Sequence, residues 1–130
     1  MILDSSAIVA VLRAEPDAAY FAQAIESAET RRISAVSFVE ASVVIDSARD
    51  AIASRRFDDF FRASRIRIES VTPEQAQIAR QAYRDFGKGR HKAGLNFGDC
   101  FAYALAKDTD EPLLFKGSDF KHTDIEVAED

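Results

Sequence analysis

Apolar strand candidates in this chain are short, and stretches with helical spacing separate them. Ile2–Asp4, Ile33–Val36 and Leu113–Phe115 are too brief and too far apart to pair through tight hairpins. Strands joined by helices pair in parallel, because a parallel crossover needs a connection about a dozen residues long or more. The alternation predicts an α/β protein: a three-layer α/β/α sandwich with a mostly parallel central sheet.

The helical stretches have legible ends. One runs from about Ser5 to Arg13, and Pro16 suits the first turn of a second that carries Ala19, Phe21, Ala22 and Ile25. A third carries Phe38, Val39, Val43, Val44 and Ile45, apolar over most of its circumference, which predicts a central position. A fourth, about Ala51–Ala63, is expected to bury Ile52, Phe57, Phe60 and Phe61. Ile66, Ile68 and Val71 alternate with polar residues as a strand would. Thr72-Pro73-Glu74 opens a helix to about Phe86, with Thr72 as cap. A basic loop from Gly87 to Gly94 leads to a helix over Phe97–Lys107, and Ile125–Val127 is a candidate edge strand. With no repeat and no Pro/Gly/Ser-rich linker, residues 1–130 read as a single domain.

Composition narrows the functional classes. Cys100 is the only cysteine, so no intrachain disulfide can form, which fits a reducing compartment. Met1-Ile2-Leu3-Asp4 lacks the basic start and apolar run of a signal peptide, and no run approaches the roughly 20 residues that span a bilayer. The expectation is a cytoplasmic protein with no membrane contact. A net charge of −5 argues against holding nucleic acid by bulk positive charge. Carboxylates that take up divalent cations nevertheless turn a negative pocket into one that accepts phosphate.

The carboxylates fall where such a pocket forms. In open parallel sheets, ligands bind beyond the carboxyl ends of the strands. Asp4 follows the first strand, Asp119 lies in the turn after Leu113–Phe115, and Asp99 stands in the first turn of the helix before that strand. Glu40 interrupts the most apolar helix, among Val36, Val43 and Val44. Each has a structural explanation: Asp4 as a helix cap, Asp99 favoured by the helix dipole, Asp119 as turn chemistry, Glu40 paired with an arginine. Together, without histidines or cysteines grouped as ligands, they suit Mg²⁺ or Mn²⁺ rather than zinc. Such ions serve in-line phosphodiester hydrolysis. Asp124 is expected to lie outside this set and to tolerate an amide.

Several segments, in order along nearly the whole chain, carry a family resemblance. Met1-Ile2-Leu3-Asp4-Ser5-Ser6-Ala7, Glu15-Pro16 and Ser37-Phe38-Val39-Glu40 resemble the PIN-domain ribonucleases of the VapC toxin group, as does Tyr83–Asp99 with its Gly94-Leu95-Asn96-Phe97-Gly98-Asp99 run. Leu113–Phe120 and Thr123-Asp124-Ile125 are similar to the family's C-terminal segment. The resemblance implies a PIN-like fold and a sequence-selective endoribonuclease, the toxin half of a type II toxin–antitoxin pair. It also implies Mg²⁺ or Mn²⁺ as cofactor, a VapB-like antitoxin as partner, RNA as substrate and a homodimer. On this pattern Asp4 and Asp99 are the primary metal ligands, Glu40 and Asp119 complete the catalytic set, and Ser6 lies near the metal or the scissile phosphate. Ser118 stands where many relatives carry an acidic or amide residue.

Lys88, Arg90, His91 and Lys92 form the densest basic run. Lys88, Arg90 and Lys92 are candidates to bind substrate phosphates, or else belong to a solvated loop. Tyr83, Phe97 and Phe120 are candidate base-stacking residues for which core packing is the leading expectation. His91 and His122 read as surface residues. An aspartate-nucleophile phosphatase would want a second aspartate where Ser6 stands, and a receiver-like binding module would need a mid-chain strand ending in aspartate. A PIN domain that has lost catalysis is disfavoured by the intact acidic set.

Overall fold

The computed structural model describes residues 1–129. Asp130, the last residue of the predicted domain, lies outside them. In chain order the elements are β1 (Ile2–Leu3), α1 (Ser5–Leu12), α2 (Ala18–Ser27), β2 (Arg32–Ser34), α3 (Ala35–Asp46), α4 (Ala51–Ser64), β3 (Arg67–Glu69), α5 (Pro73–Phe86), α6 (Phe97–Thr109) and β4 (Leu113–Leu114), followed by a 3₁₀ turn at Asp119–His122. The strands form one four-stranded sheet in the order β3-β2-β1-β4, and every pairing is parallel.

Strand pleating sorts the core into two layers. Ile2 and Leu113 face α5 and α6, where they pack with Ala79, Ala82, Tyr103 and Leu105. Leu3, Ile33 and Leu114 face the opposite way and pack with Ile8, Phe21, Ala41 and Phe57 of α1–α4. The expected α/β/α sandwich follows, with β1 and β2 buried between the helical layers. At the amino ends of the strands an ion network pins the sheet: Glu111 pairs with the Met1 ammonium at 2.7 Å and with Arg32. The opposite, carboxyl edge is left for Asp4 and the loops around it.

Several local expectations shift. Pro16 lies in the turn before α2, which begins at Ala18. The second strand stops at Ser34, whose side chain caps α3, so Val36 belongs to a helix. Helix α3 packs against α1, α4, α6, β2 and β3, as expected of a central helix, but one face stays open, with Val39 and Val43 55% and 59% exposed. Ile52 and Ile68 are also exposed, the latter on the edge strand β3. Ile125–Val127 forms no strand; Val127 makes an isolated bridge to Leu113. The Thr72 cap is as predicted, accepting from the Gln75 N–H at 3.1 Å. Asp124 does lie outside the acidic pocket, but it is no bystander. It accepts from the Tyr103 hydroxyl at 2.6 Å and from Lys107 at 2.8 Å, tying the C-terminal segment to α6. Among the described residues no helix is long and apolar enough to cross a membrane.

Candidate active site

The fully buried pair Ile2 and Leu3 delivers Asp4 to the carboxyl edge of the inner strand β1, between β2 and β4. There Asp4 is only 3% exposed. Its Oδ2 accepts from the Ser6 N–H at 3.1 Å and from Ser6 Oγ at 2.6 Å, which makes it the N-cap of α1. Its Oδ1 is buried with no hydrogen-bond partner. The capping explanation thus holds for one oxygen and leaves the other without a donor, a costly state for a buried carboxylate. Burial pushes the Asp4 carboxyl above its ordinary pKa, and the nearby charge of Asp119 adds to the rise.

Asp99 arrives from the start of α6. Its N–H donates to Asn96 Oδ1 at 2.9 Å, and its Oδ2 accepts from the Asn96 N–H at 3.0 Å, closing a capping box. That reciprocal pair holds the carboxylate in place and leaves Oδ1 to the pocket. Burial lifts its pKa to about 6, and the charges of Asp4, Glu40 and Asp119 push in the same direction.

Glu40 sits on α3, half-buried, with Oε1 accepting from Ser5 Oγ at 3.1 Å. Burial raises its pKa first, and the charge of Asp4 second. Among the described residues Asp4, Glu40, Asp99 and Asp119 take part in no ion pair, so the arginine partner that would have explained Glu40 is not there. Glu40 approaches α6 at Gly98. A Cβ built on Gly98 would stand 2.6 Å from Glu40 Oε1 and nearer still to Oε2. Neither Ser5 nor Gly98 was singled out from sequence, although a glycine inside the first turn of a helix is a signal of close approach.

Asp119 opens the 3₁₀ turn after β4 and is exposed, yet its charge reaches both Asp4 and Asp99. Ser6 has a tighter job than expected. It donates to Asp4 and accepts from the Lys116 N–H at 2.9 Å, so it clips the start of α1 to the chain leaving β4. The Lys116 ammonium points elsewhere, to Glu15 at 2.5 Å and Asp17 at 3.2 Å.

Lys88, Arg90 and Lys92 are all exposed on the loop after α5, and Arg90 lies over the Tyr83 ring, 5.3 Å from its centroid. The aromatic candidates divide. Phe120 is buried against Phe115, as core packing requires, whereas Phe97 is 74% and Tyr83 42% exposed. For those two, core packing is overturned: the helical layer of α5 and α6 is the outermost one, and nothing packs over it. His122 is exposed, while His91 is half-buried, its Nδ1 accepting from the Ala93 N–H at 3.0 Å.

The arrangement is an all-oxygen acidic pocket with an orphaned buried carboxylate oxygen and no side-chain cation to neutralise it. Among the described residues no three ligands already enclose a single ion-sized point, so this is a cluster of carboxylates and not a preformed cage. The donor set fits a hard divalent cation, whose charge would offset the burial and mutual repulsion that raise these pKa values.

Comparison with known proteins agrees with the geometry. The PIN domain family model matches residues 1–126. Ribonuclease VapC28 of Mycobacterium tuberculosis is 53% identical over 131 residues, covering 100% of this chain and 98% of that protein. Among solved structures, Mycobacterium tuberculosis VapC20, described as a sarcin-ricin loop cleaving toxin, superposes with a TM-score of 0.76 at 16% identity, over 99% of this chain and 98% of that one. A toxin-antitoxin complex from Klebsiella pneumoniae gives a TM-score of 0.69 at 16% identity, over 92% and 88% of the two chains. At such identities the structural likeness speaks for the fold alone.

Proposed function

This chain belongs to the PIN domain family, and from that premise we propose that it is a VapC-type toxin, a cytoplasmic, metal-dependent endoribonuclease of a toxin–antitoxin system. Residues 1–130 act as one domain that hydrolyses RNA phosphodiester bonds at selected sequences. The observation that carries this reading is the buried, unpartnered Oδ1 of Asp4 beside Glu40, Asp99 and Asp119, none of which pairs with a cation among the described residues.

Asp4 and Asp99 would hold the ion, Mg²⁺ or Mn²⁺, and their capping hydrogen bonds fix both side chains for that role. When bound, the ion stabilises charge on the phosphodiester and lowers the pKa of an attacking water. Glu40, oriented by Ser5 and half-buried beside Gly98, is placed to accept a proton on its carboxylate. Asp119, on the exposed 3₁₀ turn, completes the acidic set from the solvent side. Ser6 keeps Asp4 in register with the β4 exit and so orients a ligand instead of touching substrate. Lys88, Arg90 and Lys92 attract RNA phosphates towards a pocket that would otherwise repel them.

The partner is a VapB-like antitoxin that offers a basic residue to the acidic pocket, and the working unit is a homodimer. The exposed valines Val39 and Val43 on α3 support contact with another chain. Cleavage of RNA by metal-stripped protein, titrated back with Mg²⁺ or Mn²⁺, tests the reading. Recovery with the ion and its loss in Asp99→Asn is the expected result. Undiminished cleavage in excess chelator would end the metal mechanism.

A further inference from the structure

Alongside the acidic pocket, α5 and α6 leave between them an open groove of about 610 Å³. Its walls combine exposed aromatic rings with cations. Phe97, 74% exposed, packs against Phe101 with ring centroids 5.0 Å apart, and Tyr83 faces them from α5. The Tyr83 ring has two close neighbours and stays 42% exposed. Arg90 lies over it, and Gly87 lets the backbone come so close that a Cβ there would stand 2.6 Å from the ring's Cδ1. Arg80, Arg84 and Arg90 line the same groove, all exposed, and among the described residues none of the three forms an ion pair.

These features decide the occupant. A contiguous exposed aromatic patch marks a contact surface, and unpaired guanidiniums on its rim ask for an anion. A second copy docked by a two-fold axis would bring three more arginines to the same face, since an isologous contact repeats one patch on both sides. An apolar peptide would leave the arginines unmatched. A single-stranded polynucleotide matches both: its bases stack on aromatic rings regardless of sequence, and its phosphates pair with arginine. Position agrees as well. Phe97 and Asp99 both stand in the first turn of α6, on different faces of it, so the groove and the acidic cluster flank the same helix end. With a net charge of −5 and a carboxylate-lined pocket, affinity for RNA has to come from beside the reaction centre.

We propose that the α5–α6 groove is a subsite for single-stranded RNA flanking the scissile bond, in which Phe97 and Tyr83 stack on bases and Arg80, Arg84 and Arg90 hold phosphates. The inference rests on the endoribonuclease reading and adds to it where the substrate strand lies.

The test uses the full chain in chelator, so that nothing is cleaved, with fluorescein-labelled decauridylate and an abasic ribose-phosphate strand of equal length as probes. Fluorescence anisotropy is read at several KCl concentrations, with sedimentation velocity and thermal melts on the same samples. Phe97→Ala should weaken decauridylate binding about tenfold while leaving the abasic strand unaffected, and Phe97→Leu, which keeps apolar bulk, should also bind more weakly than the parent. The double variant Arg80→Gln/Arg84→Gln should reduce the slope of log affinity against log salt by about 1.4. Unchanged binding by a folded Phe97→Ala overturns the subsite. So does a loss shared equally by the abasic strand, or one that tracks dissociation of a dimer. The two readings fail separately. A parent that cleaves RNA while Phe97→Ala binds as well as it does defeats only the subsite. A parent that binds in this pattern yet never cleaves defeats only the ribonuclease assignment.

Discussion

Gly98 and Glu40 occupy complementary space: the carboxylate of Glu40 on α3 fills the volume that any side chain at position 98 would need. Gly98→Ala therefore tests whether the Glu40 position matters without altering a charge. Alanine raises helix propensity by up to about 1 kcal/mol over glycine, and Glu40 has a flexible side chain that can swing away. Stability without metal should stay within about 1 kcal/mol of the parent, while Mn²⁺-induced stabilisation and RNA cleavage should both fall, cleavage by about tenfold or more. Thermal melts with and without Mn²⁺ and a cleavage assay give the answer. A variant with parental activity would remove Glu40 from the catalytic set.

Asp4→Asn separates the two jobs of that residue. Asparagine caps a helix about as well as aspartate, and its oxygen can still accept from Ser6. Losing a buried charge that Asp119 opposes should leave the metal-free protein equally stable or more so. The gain in melting temperature on adding Mn²⁺, which arises because the ion binds only the folded site, should largely vanish together with cleavage. Asp58→Asn, on the exposed side of α4, serves as the control. Asp124→Asn does not, since it would weaken the link to Tyr103 and Lys107. Retention of both the metal shift and the activity in Asp4→Asn would end its role as ligand.

Stability without metal should depend on pH in a defined window. Asp99 rises from 3.8 to about 6 on folding, so the folded state holds the proton more tightly than the unfolded chain. Stability therefore falls as pH climbs from about 4 to 6, because the unfolded chain ionises first. Glu111 acts in the opposite sense. Burial works against its charge, but hydrogen bonds from the Met1 ammonium and Arg32 bring its pKa from 4.5 down to about 2. Its contribution is full above about 4.5 and is lost as pH falls towards 2. Urea melts in chelator should show a maximum near the crossover, and Asp99→Asn should flatten the limb between pH 4 and 6. A limb of unchanged slope in that variant would show that Asp99 is not its source.

Ser6→Ala distinguishes a clip from a substrate contact. The Ser6 hydroxyl joins Asp4 to the Lys116 N–H, so its removal should cost about 1–3 kcal/mol and reduce cleavage through misplacement of Asp4. Equilibrium denaturation measures the first effect directly. A variant of parental stability with poor cleavage would instead place Ser6 on the substrate.

Much of this molecule is determined within one turn or one strand of sequence. Helix-length connectors force parallel pairing of Ile2–Leu3, Arg32–Ser34 and Leu113–Leu114. Thr72-Pro73 starts α5 because a side-chain acceptor and a residue without an N–H suit the first turn. Asp4, Asp99 and Asp119 could be named from sequence because strand ends and helix starts are local features. What lies outside a helix, or across from a carboxylate, is not local. Val39, Val43, Ile52 and Phe97 have apolar character but no covering layer, and only the stacking order of α1–α4 and α5–α6 around the sheet leaves them exposed. The same holds for the site's chemistry. The match of Glu40 to Gly98, the hold of Ser6 on Lys116 and the burial and neighbouring charges that lift Asp99 all join residues far apart in the chain. Burial and electrostatic coupling depend on distances in space, and those distances exist only once the layers have packed.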